Sequence, residues 1–245
     1  ILDADNSNFV DEYTLTYAQQ SAMDPKGDEL DAFVAEMSAV LQASNGLDVY
    51  KKNFFRGKLV LFDFRSHLYA PLICLEKSNL KIQLAPVALK TDEMRFVDYL
   101  KSYVDDHAAE LAGKSLYLLR NKSKVGMGFF EAGNFYPDYI LWIDTPATQY
   151  ISFIDPKGLM HIRPDDPKIE FHKTIKDLET RLSPTADGKR IVLNSFIMAG
   201  TRSSDLRMWW STPEVDADRA YREARNVYTL DNDECVESMM RKILQ

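Results

Sequence analysis

The stretch from Phe129 to Gly158, FFEAGNFYPDYILWIDTPATQYISFIDPKG, leaves this chain few ways to fold. Two apolar runs, Tyr139 to Ile143 and Tyr150 to Ile154, are rich in β-branched and aromatic residues and flank a short turn carrying Pro146. They predict a β-hairpin of two buried strands. With the turn centred near Pro146, antiparallel pairing sets Asp138, at the start of the first strand, beside Ile154 and Asp155, at the end of the second. Directly opposed residues have Cβ atoms roughly 5 Å apart. Lys157 lies two residues beyond Asp155, so strand alternation points it to the same face, provided that Pro156 does not end the strand first.

Two carboxylates held that close in a half-buried site repel, and either a shared proton or a divalent cation relieves the charge. Hard oxygen ligands favour Mg²⁺ or Mn²⁺. An ion on Asp138 and Asp155, with the backbone carbonyl of Pro156 nearby, would polarise a phosphodiester and acidify a bound water. Lys157 would orient that water or neutralise charge developing on the phosphate. The expected catalytic set is therefore Asp138, Asp155 and Lys157.

Pro137-Asp138 followed by Asp155-Pro156-Lys157 resembles the PD-(D/E)xK nuclease signature. The letters alone are common in this chain: Asp24-Pro25-Lys26, Asp166-Pro167-Lys168 and Asp187-Gly188-Lys189 repeat them, and Pro164-Asp165 is a second Pro-Asp pair. Only the copy at 155–157 ends an apolar strand. The wider phrasing GMGFFEAGNFYPDYILWI, then QYISFIDPKGL, preceded by PVALKTDEMRFVDYL, is similar to the endonuclease domain at the C-terminal end of helicase-nuclease polypeptides, in particular the Res subunit of the type III restriction enzymes of phage defence. The resemblance covers residues 85–198, and the tail NVYTLDNDECVESMMRKIL more loosely. It implies Mg²⁺-dependent cleavage of double-stranded DNA by a domain whose ATP-dependent helicase or translocase lies on other sequence, with a DNA methyltransferase subunit as a possible recognition partner. Many members carry Glu where this chain has Asp155. Nucleases of this kind often take a further acidic ligand from the first core helix, and Glu93 matches that pattern; the same residue also reads simply as a first-turn acid that steadies its helix.

The remaining features bound this expectation. A formal net charge of −7 counts against nucleic-acid binding, because affinity for phosphates rests on lysine and arginine. Distribution tempers it: Leu111 to Phe130, immediately before the proposed site, holds four bases, Lys114, Arg120, Lys122 and Lys124, and no acid. Lys122 and Lys124 are thus candidate DNA contacts, or a solvated basic turn. A catalytically inactive DNA-binding or helicase-docking module of the same fold is the alternative. No GxxxxGK[ST] occurs, so no ATP site is expected in this chain. No apolar stretch of ~18 residues and no leader is present, which leaves cytoplasm as the default and no membrane role. Cys74 and Cys235 lack metal or disulfide spacing and read as core. The chain opens on Ile1, not Met, which reads as a piece of something longer.

Along the chain, residues 1–27 show little periodicity. A helix is predicted over Asp28 to Ala43, then a β-meander from the runs Leu59–Phe64, Tyr69–Leu75 and Leu80–Val87. Residues 1–88 are read as an extension toward a motor domain, and residues 89–245 as the nuclease-like domain. There Thr91 opens a helix to about Ala112, Ser115–Arg120 is a strand, and the hairpin follows. Asp165-Asp166-Pro167 starts a helix to about Arg181, with Lys173 and Lys176 flanking its buried stripe as candidate phosphate contacts or as solvated charges. Arg190–Met198 is a further strand. The order helix, three strands, helix, strand predicts an α/β fold with a mixed sheet flanked by helices, and a helical tail with Trp209-Trp210, which either stacks on unpaired bases or packs on the core.

Overall fold

The structure, a computed structural model, describes residues 14–17, 27–42, 49–54, 57–62, 72–76, 82–85, 89–121, 126–211 and 215–245. The chain divides into two compact units, residues 1–94 and 95–245.

In the first unit, β1 (Thr14–Tyr17) precedes α1 (Gly27–Gln42), and β2 (Val49–Phe54), β3 (Gly57–Phe62), β4 (Leu72–Glu76) and β5 (Ile82–Ala85) follow. The expected meander is corrected in two ways. Strands β2, β3 and β4 form one antiparallel sheet, while β5 leaves it to pair with β1. Val49 to Phe54 reads VYKKNF, with three polar residues in six, so it shows no apolar run and becomes a strand only through its partner β3. Thr14 to Tyr17 is likewise four residues long and is specified by β5 across more than sixty residues of chain. Helix α1 lies where periodicity places it and buries Phe33.

Helix α2 (Thr91–Asp106) enters the second unit. It stops six residues short of the expected Ala112; turns carry the chain on to Gly113, whose φ of +75° needs a residue without a Cβ. Then come β6 (Ser115–Arg120), a 3₁₀ turn at Phe130–Ala132, β7 (Tyr139–Asp144), β8 (Thr148–Lys157), α3 (Pro167–Glu179), β9 (Arg190–Ala199), α4 (Ser203–Trp210), α5 (Val215–Glu223), β10 (Val227–Thr229) and α6 (Glu234–Ile243). The sheet is five-stranded and mixed, in the order β10-β9-β8-β7-β6. β8, β9 and β10 run parallel, and β7 runs against both its neighbours. The fifth strand, β10, was expected as part of a helical tail; at three residues it is too short to show alternation and exists by pairing with Ile197–Ala199.

Helices cover both faces of this sheet. On one, Phe96 of α2 meets Tyr139 at 5.5 Å between ring centroids, and α6 buries Val236, Met239, Met240 and Ile243. On the other, Phe153 of β8 and Ile197 of β9 share a core with Ile169, Phe171 and Ile175 of α3 and with Leu206 and Trp210 of α4. α3 starts where Asp166 caps it, its side chain accepting from Lys168 N at 2.9 Å with Pro167 in the first turn. Among the described residues no helix is long and apolar enough to cross a membrane.

Candidate functional site

The hairpin register is Tyr139 opposite Ile154 and Ile140 opposite Phe153, so one further step sets Asp138 opposite Asp155. Pro156 does not end β8, which continues to Lys157 paired with Ala199. The reason is geometric. Lys157 O accepts Gly200 N at 2.9 Å, and successive backbone groups of an extended strand point to opposite sides, so those of Pro156 face β7. β7 begins only at Tyr139, so the donor that proline lacks has no ladder partner to miss.

Alternation puts Asp155 and Lys157 on one face with Phe153, and the Lys157 ammonium donates directly to Asp155 Oδ2. Asp155 is 6% exposed, whereas Lys157 is half-buried. The same ammonium lies 5.4 Å from the centroid of the Phe135 ring, within cation–π range. Phe135 reaches that position through a tight turn in which Gly133 and Asn134 adopt φ of +68° and +56°, returning the chain so that Phe135 and Phe129 pair backbone to backbone at 2.8 and 3.0 Å. Gly128 matters for contact: a Cβ there would lie 2.3 Å from the Tyr136 ring.

Asn121, which the sequence reading passed over, fixes the other side. Its backbone N–H donates to Asp138 O at 2.8 Å, and its side-chain amide donates to Met127 O and Pro137 O, both at 2.8 Å, while its Oδ1 accepts Met127 N at 2.9 Å. One amide thus closes the loop ahead of Asp138. The available signal was an asparagine at a strand end, where such side chains commonly satisfy turn backbone.

Asp155 and Lys157 thus share one face at the end of β8, and Asp138 directly precedes β7 at the same end of the sheet. A small hard dication takes few protein oxygens and keeps several waters, so two opposed carboxylates with the Pro156 carbonyl turned toward β7 are compatible with Mg²⁺ or Mn²⁺. Among the described residues, no group of three or more His, Cys, Asp or Glu is gathered to hold a metal. Glu93 lies in the first turn of α2, 3% exposed, with its carboxylate 4.0 Å from Lys90 Nζ. Lys122 and Lys124 lie outside the described residues. Lys176 braces α3 against β9: its ammonium donates to Leu193 O at 2.5 Å and Asn194 Oδ1 at 3.2 Å and pairs with Glu179 at 2.9 Å. Leu193 opposes Ile151, six residues up β8 from Lys157, or about 20 Å at the rise of a strand. Lys173 pairs with Glu170.

Trp210 is buried and its indole N–H donates to Ile162 O at 2.9 Å, as core packing of the tail requires, whereas Trp209 stays 43% exposed with its ring 4.9 Å from that of His161, near-perpendicular. The sequence matches no protein-family model, no curated protein and no solved structure.

Proposed function

We propose that the chain is a metal-dependent endonuclease domain that hydrolyses DNA phosphodiester bonds, the nuclease part of a type III restriction-like helicase-nuclease with a PD-(D/E)xK core. The observation that carries this reading is the contact of Lys157 with the Asp155 carboxylate at the end of β8, at the same end of the sheet as Asp138, which directly precedes β7. The mixed sheet supports it, since α2, β6, β7, β8, α3 and β9 follow the order of the core that the sequence resembles. Asp138 and Asp155 would hold the cation, and Pro156 would offer it a carbonyl. When bound, Mg²⁺ or Mn²⁺ supplies Lewis acidity and an acidified water. Lys157, beside the Asp155 carboxylate and the face of Phe135, would supply positive charge where the phosphate gains negative charge.

Cleavage of a supercoiled plasmid in Mg²⁺ or Mn²⁺, with and without chelator, tests this reading. Expected is nicking or linearisation that chelation stops and that Asp138→Ala or Lys157→Ala each abolishes with an unchanged circular dichroism spectrum. Cleavage surviving both substitutions overturns it. One observation favours a second reading, a catalytically inactive DNA-binding or helicase-docking module of the same fold: the carboxylate nearest Lys157 is already neutralised by it, and no third acidic, histidine or cysteine ligand is gathered among the described residues.

A further inference from the structure

The large apolar side chains left exposed in the second unit are not scattered. Among the described residues, Tyr117 and Leu182 apart, they are Met127, Phe130, Met160, Met208 and Trp209. Met127, Phe130 and Met160 lie in segments that meet the sheet at the end holding Asp138, Asp155 and Lys157, and α4, which carries Met208 and Trp209, starts from that end. Single exposed apolar residues need no explanation, but their concentration beside a polar cluster does.

Within this rim the indole of Trp209 and the imidazole of His161 are held rigidly. The loop from Gly158 to Ile162 is tied to β9 by Leu159 N donating to Thr201 Oγ1 at 2.8 Å, and closed on itself by Ile162 N donating to Leu159 O at 3.1 Å. Trp210 ties the same loop to α4. His161 adopts φ of +69°, a left-handed conformation uncommon outside glycine, and presents its ring to Trp209. Gly200 to Trp210 carries Arg202 and Arg207 against one acid, Asp205, while Lys157 pairs with Asp155.

We propose that Trp209, steadied by His161, is a stacking platform for an unpaired nucleobase next to the scissile phosphate. The inference rests on the phosphodiesterase reading for the position of the strand. His161 is four residues from Lys157, so the backbone between them spans at most about 14 Å, which is about four steps of stacked bases. The indole thus lies within the span of the few nucleotides next to a phosphate held at Lys157. Aromatic faces accept any base, so the platform favours substrates with an unpaired base near the cut over fully paired duplex.

Tryptophan emission of the full chain, titrated in chelator with a short oligodeoxyadenylate and with a paired duplex of equal length, tests this. Expected is quenching by the single strand that Trp209→Phe largely removes. Trp209→Ala should weaken single-strand binding about ten-fold, within the roughly 5- to 150-fold range of base–aromatic stacking, and duplex binding much less. Quenching unchanged in Trp209→Phe, or equal losses on both ligands, overturns the proposal. So does a Trp209-dependent emission shift with protein concentration alone accompanied by a doubled mass in light scattering, which would make the rim an interface between copies. The two readings separate: Trp209-dependent quenching without any metal-dependent cleavage leaves a base-stacking surface but overturns both the phosphodiesterase and the platform's place beside a scissile phosphate, whereas cleavage without such quenching upholds the phosphodiesterase and overturns the platform alone.

Discussion

Phe135 joins stability to the site through one ring. It is 1% exposed, packs at 5.6 Å on Phe171 of α3, and presents its face to Lys157. Phe135→Ala is expected to cost about 3–5 kcal/mol, the range for emptying a buried phenylalanine site, with a denaturant midpoint shift as the readout. Phe135→Leu should recover most of that stability while leaving Lys157 without its aromatic neighbour. A second residue-scale expectation concerns His172 on α3. Burial holds its imidazole below the ordinary range, against the opposing pull of Ile169 O, which accepts from Nδ1 at 2.7 Å. A histidine with a depressed folded pKa takes up its proton more readily when unfolded, so its contribution is present above the unfolded value of about 6.5 and is lost as pH falls below it toward the folded value. Denaturation at pH 7.5 and 5.5 should show this acid-side loss in the wild type and a flatter profile in His172→Gln; equal slopes would contradict it.

At the scale of elements, the β7–β8 hairpin was legible because its signals agree: two β-branched and aromatic runs, one turn, and acids at matching ends. Its register follows directly, and so does the placement of Asp138 against Asp155. The survival of β8 through Pro156 was not legible, since it depends on where the neighbouring strand begins. The same holds for Asn121, whose partners Met127 and Pro137 lie six and sixteen residues away and meet it only once the loop has closed. Asn121→Ala removes three side-chain hydrogen bonds, one of them to Met127 N. The expected cost is about 1–3 kcal/mol, as for polar groups left unsatisfied, together with weaker Mn²⁺ binding because Asp138 loses its anchored neighbour loop. Unchanged stability and unchanged Mn²⁺ affinity would show that the amide has no positioning role.

For the whole molecule, the α/β architecture of the second unit was readable from the alternation of helix and strand signals, while strands made by distant partners were not. β1 and β10 have four and three residues and take their conformation from β5 and β9. Charge acts at this scale as well. A chain of net −7 repels a polyanion at distance, so on the proposed reading DNA binding would rely on local cations at the sheet end and weaken with salt according to those few contacts. Of the lysines read from sequence as candidate phosphate contacts, Lys176 spans α3 and β9 and Lys173 pairs along its own helix.

The central claim is that positions 138, 155 and 157 meet around one divalent ion, and a crystal soaked in Mn²⁺ tests it most directly. Expected is a single anomalous peak between the Asp138 and Asp155 carboxylates, with the Lys157 ammonium displaced from Asp155 Oδ2, and no peak in Asp138→Ala. Anomalous density absent from that position at millimolar Mn²⁺, with the Lys157–Asp155 pair intact, would contradict it.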